Sequence, residues 1–162
     1  MRLVEIKKRI GRKRLREPVE IGWCELVDLP DLGLFGMHAK IDTGARTSSI
    51  HATRIRTFER DGEEWVRFHS PRSAGHGPQD CEARLIERRL VTSSNGSRQN
   101  RYVIGTTARL GPLTWQAQIT LANRATMAFP VLVGRRALKR GFLVNSGKRW
   151  LLGKPPKEEG LS

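Results

Sequence analysis

Between residues 101 and 121 the side chains alternate with a period of two on both sides of Gly111-Pro112, the pattern of two half-buried antiparallel strands joined by a turn. Tyr102, Ile104, Thr106, Ala108 and Leu110 fall on one face, and Arg101, Val103, Gly105, Thr107 and Arg109 on the other. After the turn, Trp115, Ala117, Ile119 and Leu121 alternate with Thr114, Gln116, Gln118 and Thr120. A chain committed to such strands must bury their apolar faces against further sheet.

The rest of the sequence supplies that sheet. Ile21, Trp23, Glu25, Val27 and Leu29 alternate with their neighbours, and a second strand over 34–41 follows the turn chemistry of Pro30-Asp31-Leu32-Gly33. Asp61-Gly62, between strand-like 50–58 and 63–69, predicts a hairpin, and Asn95-Gly96 predicts another between 83–93 and 99–110. The apolar run 129–134 reads as a buried strand. One stretch is expected to be helical, Arg135 to Arg140, closed by Gly141, and a short strand over 142–144 follows it. Many short strands separated by turns mean a small barrel or sandwich, mostly β.

The ends differ in composition. Residues 1–16 hold eight basic residues against Glu5 alone, half of the net charge of +14. Such a block is either a solvated arm or one drawn to a polyanion such as RNA, the ribosome or an acidic peptide. Pro18 lacks a backbone donor and keeps Glu17 extended, which suits a boundary. The expected organisation is a basic flexible arm over 1–17, one domain over 18–152, and a disordered tail over 153–162. No run approaches the roughly 20 apolar residues of a membrane span, and the N-terminus lacks a signal peptide's apolar core. A cytoplasmic protein that makes no membrane contact is expected. Cys24 and Cys81 make no disulfide framework and read as small buried apolar residues.

The residues with chemistry centre on Asp42 in Ile41-Asp42-Thr43-Gly44-Ala45. Asp-Thr-Gly alone also makes an ordinary Asx turn. Here it directly follows an apolar strand, and far downstream Val131-Leu132-Val133-Gly134 runs into the short helix. That layout resembles the retropepsin-like aspartic proteases. Gly22-Trp23, Leu29-Pro30-Asp31-Leu32-Gly33 and the run from Ala39 to Ala52 resemble one bacterial group more closely. Arg101-Tyr102-Val103-Ile104 and the run from Pro130 to Arg136 match it again. This group is labelled "ATP-dependent zinc protease" and linked to enzymes that add glutamates to a ribosomal protein. The resemblance covers roughly 19–152 and implies a small closed or partly open β-barrel with one short C-terminal helix. Asn145 departs from the pattern, where an acidic residue is expected.

Two carboxylates sharing one proton can hydrolyse a peptide bond, one activating water while the other protonates the carbonyl oxygen. The chain has a single Asp-Thr-Gly, so the dyad requires a second copy about a two-fold axis. Gly44 is expected to let the backbone turn tightly. The family pattern implies that Thr43 hydrogen-bonds across the dyad. Ala45 offers no hydroxyl to hold the carboxylate in its charged form, so the shared proton should persist to higher pH. The expected function is an aspartic peptidase or amidase acting on an acidic peptide, such as the poly-glutamate tail of a ribosomal protein. Arg46, Arg54, Arg84 and Arg101 are candidate carboxylate clamps. The competing reading is a non-catalytic basic module that binds RNA, the ribosome or an acidic peptide.

No cofactor is expected, because neither a phosphate-binding Gly-Lys-Ser/Thr loop nor His-Glu-x-x-His occurs. His69, His76 and Cys81 are the best metal candidates, yet their spacing is not that of paired zinc ligands. His51 reads as a packed or hydrogen-bonding residue. The glycine-rich segment 70–78 reads equally as a surface loop or as a flap over the site.

Overall fold

The computed structural model describes residues 17–72, 77–92, 96–123 and 128–157. The expected basic arm lies outside these, apart from Glu17, as do His76, Asn95 and the last five residues of the tail. In chain order come β1 (Val19–Ile21), β2 (Cys24–Leu29), a 3-10 turn (Pro30–Leu32), β3 (Leu34–Ile41), β4 (Ser48–His51), β5 (Thr53–Arg60) and β6 (Glu63–His69). Then follow β7 (Asp80–Thr92), β8 (Arg98–Leu110), β9 (Leu113–Ala122), β10 (Val131–Val133), α1 (Arg135–Leu138) and β11 (Phe142–Val144).

Six of these strands close a barrel in the order β2-β3-β10-β4-β9-β8. The closing seam pairs Asp28 of β2 with Arg109 of β8, and the Arg109 guanidinium donates twice to the Asp28 carboxylate, at 2.8 and 3.1 Å. β3 and β10 run parallel, with Val133 opposite Ile41. β8 is the branch strand: Val103 to Leu110 pair with β9, while Arg98 to Gly105 pair with β7. β7, β6 and β5 therefore continue the sheet past the barrel strands, with Val66, Phe68, Cys81 and Ala83 packed into the same core. A separate parallel pair, β1 with β11, brings the two ends of the domain together.

The alternation around Gly111-Pro112 buries the expected face. Ile104, Ala108, Leu110, Ile119 and Leu121 enter one core with Met37, Ile50 and Phe68. Each large apolar side chain buried this way stabilises the fold by about 1.5–3 kcal/mol. The hairpin at Asp61-Gly62 also forms, with φ of 52° and 78° at its two central residues, the left-handed pair that a two-residue turn requires.

Two expected strands are broken. The run from Ile21 to Leu29 splits at Gly22-Trp23, where a Cβ on Gly22 would collide with the Lys148 carbonyl. The run 50–58 splits at Ala52, whose N–H donates to the Ala122 carbonyl, so β4 stays in the barrel while β5 leaves it. Glu25 is buried among apolar residues and holds the break in place. Its Oε2 accepts from the Gly22 and Leu151 amides at 2.7 and 3.0 Å, and its Oε1 from the Leu152 amide at 3.0 Å. Among the described residues no helix is long and apolar enough to cross a membrane.

Candidate active site

β3 delivers Asp42 to the barrel's edge. Ile41 points into the core, so Asp42 turns outward, and its amide donates to the Val133 carbonyl at 2.9 Å. That bond continues the β3–β10 pairing to the end of the strand. The Asp42 side chain then folds back on its own loop: Oδ1 accepts from the Gly44 amide at 2.9 Å and the Ala45 amide at 3.2 Å. Among the described residues nothing donates to Oδ2. One oxygen is thus fixed by two backbone donors, and the other is left for solvent, substrate or another carboxyl group.

Gly44 sits in the tight turn expected of it, closed by the Ala45 amide donating to the Asp42 carbonyl at 3.3 Å. Its φ is not in the left-handed region, but a Cβ there would sit 3.2 Å from Asp42 Oδ1. The glycine gives the carboxylate room. Thr43 is exposed, and its hydroxyl bonds to nothing among the described residues.

The junction of β10 and α1 braces the loop from behind. Gly134 packs so closely that a Cβ would lie 2.5 Å from the Thr47 carbonyl oxygen and 3.0 Å from that of Ala45. Its amide donates to Ser48 Oγ at 3.1 Å, and the Arg135 amide donates to the Ala45 carbonyl at 2.8 Å. The Arg135 guanidinium donates from Nη1 to the Thr43 and Gly44 carbonyls, at 3.1 and 2.9 Å. The sequence alone assigns Arg135 no role. Nothing in its own stretch of sequence marks these bonds, because the carbonyls it reaches lie 92 and 91 residues away.

The four candidate arginines separate. Arg46 is exposed on the Asp42 loop itself, and its carbonyl accepts from the Arg136 amide at 3.2 Å. Arg54 sits at an irregularity in β5 with φ of 51°. Arg84 of β7 pairs with Glu63 at 2.9 Å. Arg101 of β8 stands directly opposite Arg89 of β7, both on one face of the sheet.

His69 and Cys81 do not converge as metal ligands. Cys81 pairs in register with buried Phe68, so the period of two puts it on the face opposite His69. Burial pushes the Cys81 thiol up, away from the thiolate a metal needs, and the thiol donates to the Leu32 carbonyl at 3.5 Å. His69 Nδ1 instead meets Asp80 at 3.2 Å. Among the described residues no group of three His, Cys, Asp or Glu side chains is placed to hold a metal. His51 lies on β4, its amide donating to the Pro130 carbonyl at 2.8 Å.

The base of segment 70–78 is clasped by Gln79, whose side-chain amide donates to the Leu32 and Gly33 carbonyls at 3.1 and 3.2 Å. Those residues precede β3, while Asp42 follows it, so the whole eight-residue strand, about 27 Å long, separates the loop's base from the site. The middle of the segment, 73–76, lies outside the described residues. Asn145 caps the turn after β11: its side chain donates to Glu20 Oε1 at 2.8 Å and accepts from the Gly147 amide at 3.1 Å. A carboxylate at this position would instead face Glu20 directly.

A groove of about 360 Å³ runs beside the Asp42 loop, with Thr47 and Ser48 at one side and Arg89, Arg136 and Arg140 around it. The spacing of residues along the sequence does not reveal these three cations as a group. An irregularity in the β7–β8 register at Ile86 sets which face Glu87 and Arg89 occupy.

Comparison with known proteins points the same way as the fold. Residues 20–155 match the RimB-like family, described as "Retropepsin-like aspartic endopeptidase RimB". Proteins named "probable alpha-L-glutamate ligase" from Shewanella pealeana and Desulfotalea psychrophila are 41% and 38% identical over 133 and 138 residues. Those matches cover 81% and 84% of this chain, but it spans only 28% and 29% of the length of these relatives. A crystal structure of a Legionella pneumophila protein of unknown function superposes with a TM-score of 0.70 at 25% identity, over 83% of this chain and 98% of that one.

Proposed function

The chain belongs to the RimB-like family of retropepsin-like aspartic endopeptidases, and from that premise we propose that it is an aspartic peptidase or amidase that cleaves acidic peptides with a pair of Asp42 carboxylates, one from each of two copies. The observation that carries this reading is the state of the Asp42 carboxylate. Oδ1 is fixed by the Gly44 and Ala45 amides, and Oδ2 has no donor among the described residues. A carboxylate used only to cap a turn does not need a loop braced by a second strand and an arginine.

In the paired site, one carboxyl group would hold the shared proton and the other would accept a proton from the attacking water. Like charges that close together cannot both ionise, which keeps the proton in place. The first carboxyl group then protonates the carbonyl oxygen of the scissile amide. Thr43, exposed beside Asp42, would meet its counterpart across the axis. The acidic substrate is supported by the net charge of +14 and by the glutamate-related names of the relatives, since a positive surface raises the local concentration of an acidic peptide.

The test compares a peptide ending in several glutamates with an untailed control, using wild type and Asp42→Asn. Cleavage of the tailed peptide should vanish in the variant while its melting curve stays that of wild type. Turnover at the wild-type rate by Asp42→Asn would end the reading.

A further inference from the structure

The groove beside the Asp42 loop gathers more positive charge than its neighbours neutralise. Arg89 enters from β7, and Arg136 and Arg140 enter from the segment that begins at α1. Arg140 lies over the Trp115 ring, 5.9 Å from its centroid, which fixes the guanidinium against an apolar surface. Arg101 stands opposite Arg89 in the β-ladder, a like-charge pairing that destabilises a sheet unless something else offsets it.

One carboxylate stands beside the groove without lining it. Glu87 takes a two-pronged contact from Arg89, at 2.9 and 3.1 Å. The Arg89 hydrogen bond, with the added charges of Arg89 and Arg136, holds the Glu87 carboxyl below the usual carboxylate range. The Arg89 fork is thereby engaged, which leaves Arg136 and Arg140 as the groove's unneutralised cations. Among the described residues no ion pair neutralises Arg136, Arg140 or Arg101.

Position ties the groove to the reaction. Ser48, which lines it, is six residues beyond Asp42, at most about 21 Å of chain. An extended peptide with its scissile bond at Asp42 reaches the groove within a few residues.

We propose that Arg136 and Arg140, with Arg89 held beside them by Glu87, form a carboxylate-binding subsite that receives glutamate or aspartate side chains of the peptide a few residues from the cleaved bond and sets the preference for acidic sequence. This rests on the peptidase reading for its link to cleavage, but not for the binding itself. Arginine is suited to the task, because its planar fork meets a carboxylate through two parallel hydrogen bonds.

The experiment measures binding of hexaglutamate by calorimetry to the full chain carrying Asp42→Asn, with hexaglutamine as control. Adding Arg136→Gln and Arg140→Gln should weaken hexaglutamate binding by about ten-fold or more, the usual scale for a lost charge-assisted pair. Arg136→Lys with Arg140→Lys should recover part of it, since charge returns without the fork. Arg140→Gln alone, at an exposed position over the Trp115 ring, keeps the test open if the double variant folds poorly. Hexaglutamate binding within two-fold of the parent in both Gln variants overturns the subsite. In the chain with Asp42 intact, the ratio of kcat/KM for acidic over neutral peptides should fall in the same variants. Loss of binding in a chain that cleaves nothing sinks the peptidase reading and keeps the subsite. An unchanged ratio in a chain that does cleave sinks the subsite and keeps the peptidase.

Discussion

Arg135 donates to the Gly44 carbonyl at 2.9 Å across 91 residues of chain, and so ties the end of the barrel to the loop that carries Asp42. With the bond to the Thr43 carbonyl, one guanidinium satisfies two consecutive carbonyls of the loop. Removing it should loosen the loop without unfolding the barrel. In Arg135→Met, amide hydrogen exchange at Gly44 and Ala45 should speed up, and kcat on an acidic peptide should fall by about ten-fold, the scale of one lost charge-assisted hydrogen bond. Unchanged exchange at those two amides would show that the arginine is not what orders the loop.

Gly134 is the second brace. Its φ of −97° is open to any residue, so the cost of a side chain there is contact alone. A methyl group would meet the Thr47 and Ala45 carbonyl oxygens at 2.5 and 3.0 Å, both backbone atoms that cannot rotate away. Gly134→Ala should destabilise by about 1–3 kcal/mol, as overpacking does. At roughly 2–4 °C of Tm per kcal/mol for a chain of this size, thermal unfolding resolves the change.

Glu25 makes a third prediction. Its carboxylate accepts from Gly22, Leu151 and Leu152 in a site closed to water. Glu25→Gln turns one acceptor into an NH₂ group that faces a backbone donor. An orphaned buried donor costs about 1–3 kcal/mol, so the variant should melt several degrees lower. Exchange protection should be lost first at Leu151 and Leu152. A variant that melts like wild type would mean that the segment after β11 is held by other contacts, such as the Trp150 ring packed edge-on against His38.

Glu25 also marks where sequence legibility ends. Alternation alone placed Ile104, Ala108, Ile119 and Leu121 in the core, because each reports its own face of a strand. Asp61-Gly62 was equally legible, since its turn type is set by those two residues. Asp42 is marked in the sequence because strand, turn and glycine adjoin there. Glu25 fits the inward phase of its strand, yet what makes it tolerable there lies 126 and 127 residues away. The break at Gly22 is hidden for the same reason, as its cause is the approach of Lys148. The grouping of Arg89 with Arg136 and Arg140 depends on a ladder irregularity and on segments far apart in sequence lining one groove, neither of which leaves a local signature.

The last prediction concerns pH and the sheet outside the barrel. Glu82 of β7 binds Arg67 of β6 at 2.6 and 3.1 Å and Arg60 of β5 at 2.6 Å, so one carboxylate clasps three strands. Arg60 also covers the Trp65 ring at 4.6 Å. The hydrogen bonds from Arg67 and then Arg60 lower the Glu82 carboxyl below its ordinary value of 4.5. The unfolded chain therefore binds this proton more readily than the folded one. Stability from the clasp is fully present above about pH 4.5 and is lost as pH falls through the lower, folded value. Glu82→Gln has no such proton to gain. Its Tm should sit slightly below wild type at neutral pH, and the gap should close below pH 4.5 as wild type comes to resemble the variant. Because the groups are exposed, added salt should narrow the neutral-pH gap as well. A gap that stays constant from pH 7 to 3 would separate the clasp from the titration of Glu82.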